Sequence, residues 1–247
     1  MSGMNVALVF FTYAGDAELL ELAVQAGPWL RGQGHAVDVY VLDDAEAPLA
    51  VPPAGCRYRQ TRFERGGNLN GAECVAGMVQ VYEEVFESGL YEWVVKVDAD
   101  TFVNDLEWLR GVQGVFAGTV HVENYCSGAC YAIKRAGVEW LRERLVEPSW
   151  RGAAQRGFCE DKVIFNMCRL SGLGVHAVRA DGVPDGKLWH DWQGVRLPMA
   201  ELRRAAAVDF KRCRWNSCEE NWAADRAEGL QRMREYVNFL SSYEREE

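Results

Sequence analysis

Apolar and polar positions follow two periods along this chain, and the alternation between them predicts an α/β fold. Met4-Asn5-Val6-Ala7-Leu8-Val9-Phe10-Phe11 is a nearly unbroken apolar run of strand length. From about Asp16 to Arg31 the period changes, and Leu19, Leu20, Ala23, Val24 and Leu30 mark one face of a helix that Gly32 and Gly34 end. His35–Asp44 returns to strand character and finishes in two acids. A β-α-β opening of this kind is typical of a nucleotide-binding half. Its first turn lacks G-x-G-x-x-G, which disfavours a dehydrogenase-type dinucleotide fold. A Pro/Ala-rich loop leads to a short strand near Cys56–Arg62. The segment Phe63–Ala72 then opens a helix that runs to about Gly89. With Arg62, Arg65 and Asn70, this loop reads either as an anion-holding helix start or as a connector with Asn70 as cap.

The central stretch is Trp93-Val94-Val95-Lys96-Val97-Asp98-Ala99-Asp100-Thr101-Phe102-Val103. Continued as one extended strand, it puts Lys96, Asp98 and Asp100 on one face and Val95 and Val97 on the other. Carboxylates about 6.6 Å apart on such a strand repel by roughly 2–3 kcal/mol, so the pair calls for a cation. That cation is either Lys96 or a divalent metal. Beyond it, Asn104 reads as the cap of a short helix through Leu109. Strands follow at Val115–Val122 and Gly128–Ile133, then a helix at Arg135–Val146. After the loop Glu147–Gly157, Glu160-Asp161 begins a helix through Leu170, and a strand covers Gly174–Arg179. A Gly/Pro loop leads to Leu188-Trp189-His190-Asp191-Trp192. The last third reads as helix, with Trp222, Arg226, Leu230, Met233, Val237 and Leu240 on one stripe that packs on the body or on a partner.

No repeat or low-complexity linker interrupts the 247 residues, which read as one domain. We divide it into a nucleotide-binding half (1–100), an acceptor and metal half (101–195) and a helical extension (196–247). A net charge of −9 leaves no basic excess for general nucleic-acid binding, so an anionic ligand needs a local site. The opening carries no basic leader and too few apolar residues to span a membrane, so the expectation is a cytoplasmic chain without a transmembrane segment. In that setting the eight cysteines read as free thiols, with disulfides the alternative. Neither Cys126-x3-Cys130 nor Cys213-x4-Cys218 matches a zinc pattern. His35, His121 and His176 begin or lie within strands and read as structural.

Four segments, in order, resemble the fringe and β-1,3-galactosyltransferase-type glycosyltransferases. Lys96–Asn104 is similar to that family's K-x-D-D-D strand, and Ser127–Arg135 to its Gly/Tyr acceptor-side strand. Cys159-Glu160-Asp161-Lys162-Val163, with Cys168 and Leu173-Gly174-Val175, resembles its E-D-V helix. Trp189-His190 stands where the family carries a late metal-binding histidine. Two positions depart: Ala99 replaces the middle Asp, and Lys162 is inserted into E-D-V. The family's membrane anchor is expected to be missing.

The resemblance implies a GT-A fold, with a mixed, mostly parallel sheet flanked by helices and a C-terminal helical tail. It implies metal-dependent, inverting transfer of a sugar from a nucleoside diphosphate, UDP above all, to a saccharide or other hydroxyl acceptor. Asp100 and His190 would ligate Mn²⁺ or Mg²⁺, and Asp98 would contact the ribose or a metal-bound water. Oxygen ligands with one imidazole suit Mn²⁺. Asp161 would be the general base, with Glu160 orienting or capping beside it. The alternative for both acids is the ordinary preference of carboxylates for a helix start. Thr12, Tyr13, Asp43, Asp44, Arg65 and Asn70 are nucleotide-side candidates. Trp150, Trp189, Trp192 and Trp215 offer flat faces for sugars, although each also suits a core.

Three other readings stand beside this one. A haloacid-dehalogenase-type phosphatase would use Asp98 as nucleophile, but its D-x-D-x-[TV] pattern meets Phe102 at the fifth position. A non-catalytic nucleotide-sugar-binding domain would keep the site without the transfer. A nucleotidyltransferase would need a Gly-rich loop that Thr12–Asp16 does not supply.

Overall fold

Val6, Leu8 and Phe10 of β1 (Asn5–Thr12) bury against one layer of helices and Ala7 and Val9 against another. A strand apolar on both faces belongs inside a parallel sheet. In the computed structural model, which describes residues 3–63, 71–122, 125–150, 160–179, 184–191, 196–210 and 222–243, β1 lies between β2 (Ala36–Asp44) and β4 (Trp93–Asp98), parallel to both. With β3 (Arg57–Thr61), β6 (Phe116–Val122), β7 (Tyr125–Ile133) and β8 (Val175–Arg179), they form a seven-stranded sheet of order β3-β2-β1-β4-β7-β6-β8. Only β7 opposes its neighbours β4 and β6, so the sheet is mostly parallel.

The described helices include α1 (Ala17–Ala23), α2 (Ala26–Gly32), α3 (Gly71–Ser88), α4 (Arg135–Leu145), α5 (Glu160–Leu170), α6 (Met199–Leu202) and α7 (Trp222–Tyr243). The core containing Val6, Leu8 and Phe10 includes residues of α1, α2 and α7, whereas α3, α4 and α5 pack with Ala7 and Val9. Among the described residues, no helix is long and apolar enough to cross a membrane.

Several local expectations are corrected. The helix expected over 16–31 breaks into α1 and α2 at Val24-Gln25. Pro28 has no N–H to bond the Val24 carbonyl, and its ring crowds that oxygen, so one continuous helix is excluded. The strand expected over 93–103 also divides. β4 stops at Asp98, the chain turns through Ala99-Asp100, and β5 (Thr101–Val103) joins a second sheet with β9 (Leu188–His190) and β10 (Ala207–Asp209), in the order β5-β10-β9. The shared-face argument therefore holds for Lys96 and Asp98 and ends there. Ala99 is buried in the same apolar cluster as Phe102 and Leu188, where an aspartate would be costly.

Asn104 does not cap the following turn. Asp105 Oδ1 accepts from Glu107 N (2.9 Å) at the one-turn 3-10 helix Glu107–Leu109. The buried Asn104 instead donates to the carbonyls of Leu202 (3.0 Å) and Ala205 (2.9 Å) and accepts from the Tyr236 hydroxyl (2.7 Å). Its own carbonyl accepts from Trp29 Nε1 and Gln33 Nε2, both at 2.7 Å. It thus ties β5 to α2, α6 and α7. We expect Asn104→Ala to destabilise the protein by roughly 1–3 kcal/mol, since two carbonyls and a hydroxyl lose a buried partner. Urea denaturation checks this through a lower midpoint at unchanged slope.

Met233, Val237 and Leu240 on the α7 stripe are buried against the body, and the fully buried Tyr236 lies between them. The packing alternative for this stripe is the one observed.

Candidate active site

Parallel strands deliver their carboxyl ends to one edge, which is where open α/β sheets bind ligands. Register aligns Thr12 with Asp43 across β1 and β2, and Phe11 with Asp98 across β1 and β4. The reversed β7 brings its amino end to the same edge, with Cys130 opposite Val97 and Ser127-Gly128 just beyond.

Lys96 is the centre of this edge. It is 4% exposed, and its ammonium donates to Asp98 Oδ1 and the Gly128 carbonyl, with Glu160 Oε1 at 3.7 Å. The Tyr131 ring lies 5.9 Å from it, and the Tyr131 and Tyr82 hydroxyls share a 2.8 Å hydrogen bond below. Burial alone would lower the Lys96 pKa, but Asp98 and Glu160 outweigh it and hold the ammonium well above its ordinary range. Burial pushes the Glu160 carboxyl up; Lys96 pulls it down, while Asp161 and Asp98 add to the rise, and the net direction is upward.

The first turn of α5 supplies Glu160 and Asp161. Asp161 is 6% exposed and accepts from Lys162 N through Oδ1 (2.6 Å). Its Oδ2 faces Gly128 so closely that a Cβ added there would lie 2.7 Å away. Gly128 is therefore the residue that lets β7 approach both Lys96 and Asp161. The segments of the central strand, β7 and the E-D helix thus meet at this edge.

His190 ends β9 and is buried at 8% exposure. Its Nδ1 lies 2.5 Å from Asp209 Oδ2, and its Nε2 lies 3.4 Å from Ser127 Oγ. Asp209 and Ser127 were not singled out in the sequence; β10 is three residues long, too short to show a period. The neighbouring Asp191 accepts from Arg232 Nε of α7 (2.9 Å), and Arg232 also donates to the Leu197 carbonyl (2.5 Å). Asp100 is half-buried at the turn between the sheets, and its carbonyl accepts from Phe210 N (2.9 Å), directly after Asp209.

These residues can be tested against a divalent cation. His190 has a carboxylate behind Nδ1, the usual support of a metal-ligating imidazole. Asp100 and His190 lie on opposite sides of β10, so their backbones are about 10 Å apart by two strand spacings. Among the described residues, however, no three His, Cys, Asp or Glu side chains converge on a point that could hold a metal. Asp98 is engaged by Lys96. Any cation here would need a ligand to complete its coordination, because the described side chains do not hold one by themselves.

On the nucleotide side, Asp43 is fully buried and organises the following loop, accepting from Leu49 N (2.7 Å) and the Tyr58 hydroxyl (2.6 Å) through Oδ2. Asp44 accepts from Glu46 N (2.9 Å). Thr12 is buried, whereas Tyr13 is exposed, its hydroxyl 3.3 Å from Arg226 of α7. Arg226 also pairs with Asp16 (2.6 Å) and donates to the Gly15 carbonyl, so α7 holds the loop after β1. Arg65, Asn70, Trp192 and Trp215 lie outside the described residues. Trp150 packs edge-on against Trp140 with ring centroids 5.2 Å apart, and Trp189 is half-buried in β9. His35 accepts from Met4 N at 3.2 Å, in keeping with a structural part, while His176 lies exposed on the edge strand β8. Of the cysteines, 56, 74, 126, 130 and 168 are free thiols, and burial pushes Cys130 and Cys168 up to about 12, which leaves them unreactive.

No family model matches the chain, and no curated protein matches its sequence. Solved structures match it along nearly its whole length. A glycosyltransferase involved in the glycosylation of the major capsid of PBCV-1 aligns at 12% identity and a TM-score of 0.53, over 93% of this chain and 98% of the other. The galactosyltransferase LgtC in complex with donor and acceptor sugar analogues aligns at 12% identity and 0.53, over 94% and 95%. An active-site mutant of LgtC gives 13% and 0.55 over the same shares. At such identities the likeness is one of fold, and the chain has the GT-A glycosyltransferase fold.

Proposed function

We propose that this protein is a glycosyltransferase that moves a sugar from a nucleoside diphosphate, UDP in the first instance, to a hydroxyl acceptor with inversion at the anomeric carbon. The observation that carries this reading is the convergence of Lys96–Asp98, Gly128, Glu160-Asp161 and Ser127–His190–Asp209 at one sheet edge of a GT-A fold. The ordered resemblance of the same segments to the fringe and β-1,3-galactosyltransferase type supports it.

In this reading Asp161 takes the proton of the acceptor hydroxyl as its oxygen bonds to the anomeric carbon and the bond to the diphosphate oxygen breaks. The carboxylate is positioned by its own helix start and by Gly128. Asp100 and His190 would hold Mn²⁺ or Mg²⁺ together with diphosphate oxygens. Such a cation offsets the negative charge that gathers on the leaving diphosphate. Tyr13 and Asp44 offer the nucleotide the most accessible contacts on their side of the edge, and Trp189 offers a face to a sugar. A phosphatase using Asp98 is disfavoured by the fold.

Because the cation site is completed by the ligand, Mn²⁺ and UDP should bind cooperatively. At 100 times its dissociation constant, a ligand stabilises by about 2.7 kcal/mol, an upward shift of roughly 5–10 °C for a chain of this size. Thermal shift with UDP-, GDP- and dTDP-sugars, with and without Mn²⁺, should show that response for a UDP-sugar plus Mn²⁺. Asp100→Ala should abolish it. An unresponsive wild type, or an equal response from Asp100→Ala, would sink the proposal.

A further inference from the structure

We propose that Asp209 is a positioning residue, which fixes the ring tautomer and direction of His190 so that Nε2 presents its lone pair to the catalytic edge. The inference rests on the cation-binding reading above, but its own basis is local.

β9 and β10 are parallel three-residue strands with His190 and Asp209 directly in register. Residues opposite each other on neighbouring strands share a face at about 4.8 Å. Both are buried, Asp209 at 2% exposure, and Asp209 Oδ2 lies 2.5 Å from His190 Nδ1. The ring tautomer that fits this contact donates from Nδ1 to the carboxylate and carries its lone pair on Nε2. That atom lies 3.4 Å from Ser127 Oγ, next to Gly128, whose carbonyl receives Lys96 and whose Cα is overlain by Asp161.

The backbone makes the same residue a strut. Asp209 pairs with Thr101 on its other side, and Phe210 N bonds the Asp100 carbonyl. β10 therefore joins the two proposed cation donors. Its partner β9 is fixed in turn by Asp191 N donating to the Asp209 carbonyl (3.0 Å) and by the buried Asp191–Arg232 pair. Asp209 acts through the imidazole and does not touch substrate.

The test combines two readouts on the full chain. Long-range ¹H–¹⁵N spectra without metal report which ring nitrogen is protonated; with four histidines in the chain, loss of one pattern in His190→Gln assigns the signal. The expected pattern for His190 is a protonated Nδ1 and an unprotonated Nε2. Mn²⁺ affinity in the presence of UDP, followed by the free-ion EPR signal, should fall roughly 10–100-fold in Asp209→Asn, with the other histidine signals unmoved. A wild-type His190 protonated at Nε2 overturns the inference, and needs no variant to fold. So does an Asp209→Asn protein that keeps its Mn²⁺ affinity within twofold while His190→Gln loses it. If His190→Gln itself keeps full affinity, the cation-binding reading fails and this inference falls with it.

Discussion

Replacing Asp161 with Asn is expected, under the proposed base role, to lower sugar transfer by about 10²–10⁴-fold while leaving donor binding nearly unchanged, because it would remove the proton acceptor alone. The variant keeps the side chain's shape and the Oδ1 acceptor that takes Lys162 N, so the start of α5 should form as before. It loses the charge that faces Gly128 at the edge. The rate can be followed as UDP released from the donor identified by thermal shift, with water as the acceptor until another is found. A loss in kcat with the UDP–Mn²⁺ dissociation constant held is the expected pattern. Glu160→Gln is the control. If Asp161→Asn stays within tenfold of wild type and Glu160→Gln collapses, the base is Glu160, which also faces this edge and whose pKa is raised by burial.

The large elements of the fold were legible because each carries enough residues to show its period. β1 is apolar on both faces, β4 is an apolar run broken only by Lys96 before its terminal acid, and α5 begins with the two acids that the resemblance marked. What escaped the sequence was short or distant. β9 and β10 are three residues each, and β5 finds β10 more than a hundred positions away, so no local pattern announces the second sheet. Without that sheet, Thr101–Val103 looks like a continuation of β4, and Asp100 looks like a neighbour of Asp98 on one face. Asn104 looks like a helix cap for the same reason: its partners Leu202, Ala205 and Tyr236 are all remote in sequence. Asp209 had no motif to mark it; only register with His190 gives it meaning. The pairing of Lys96 with Asp98, by contrast, needs only the two-residue period of a strand, and it was readable.

That pairing carries the largest expected effect on stability. Lys96→Met should destabilise the protein by roughly 3–5 kcal/mol, because it removes a buried ammonium from two half-buried carboxylates that face each other. Asp98 loses this ion pair, the Gly128 carbonyl loses a donor, and Glu160 loses the ammonium that lowers its pKa. The pH dependence follows in sign. Glu160 already has a folded pKa raised above its unfolded value of about 4.3, so its contribution is present at acid pH and lost as pH rises through the folded value. Without Lys96 that folded value climbs further. The variant should therefore lie nearest to wild type at low pH and fall further behind toward neutrality. Lys96 itself, raised above about 10.4, keeps its contribution across that whole window in the wild type. Urea midpoints measured from pH 4 to 8 give both the size and the slope. A triple variant that adds Asp98→Asn and Glu160→Gln to Lys96→Met should recover part of the loss and flatten the slope. A Lys96→Met protein within about 1 kcal/mol of wild type at pH 7 would mean that water, not Lys96, satisfies these carboxylates.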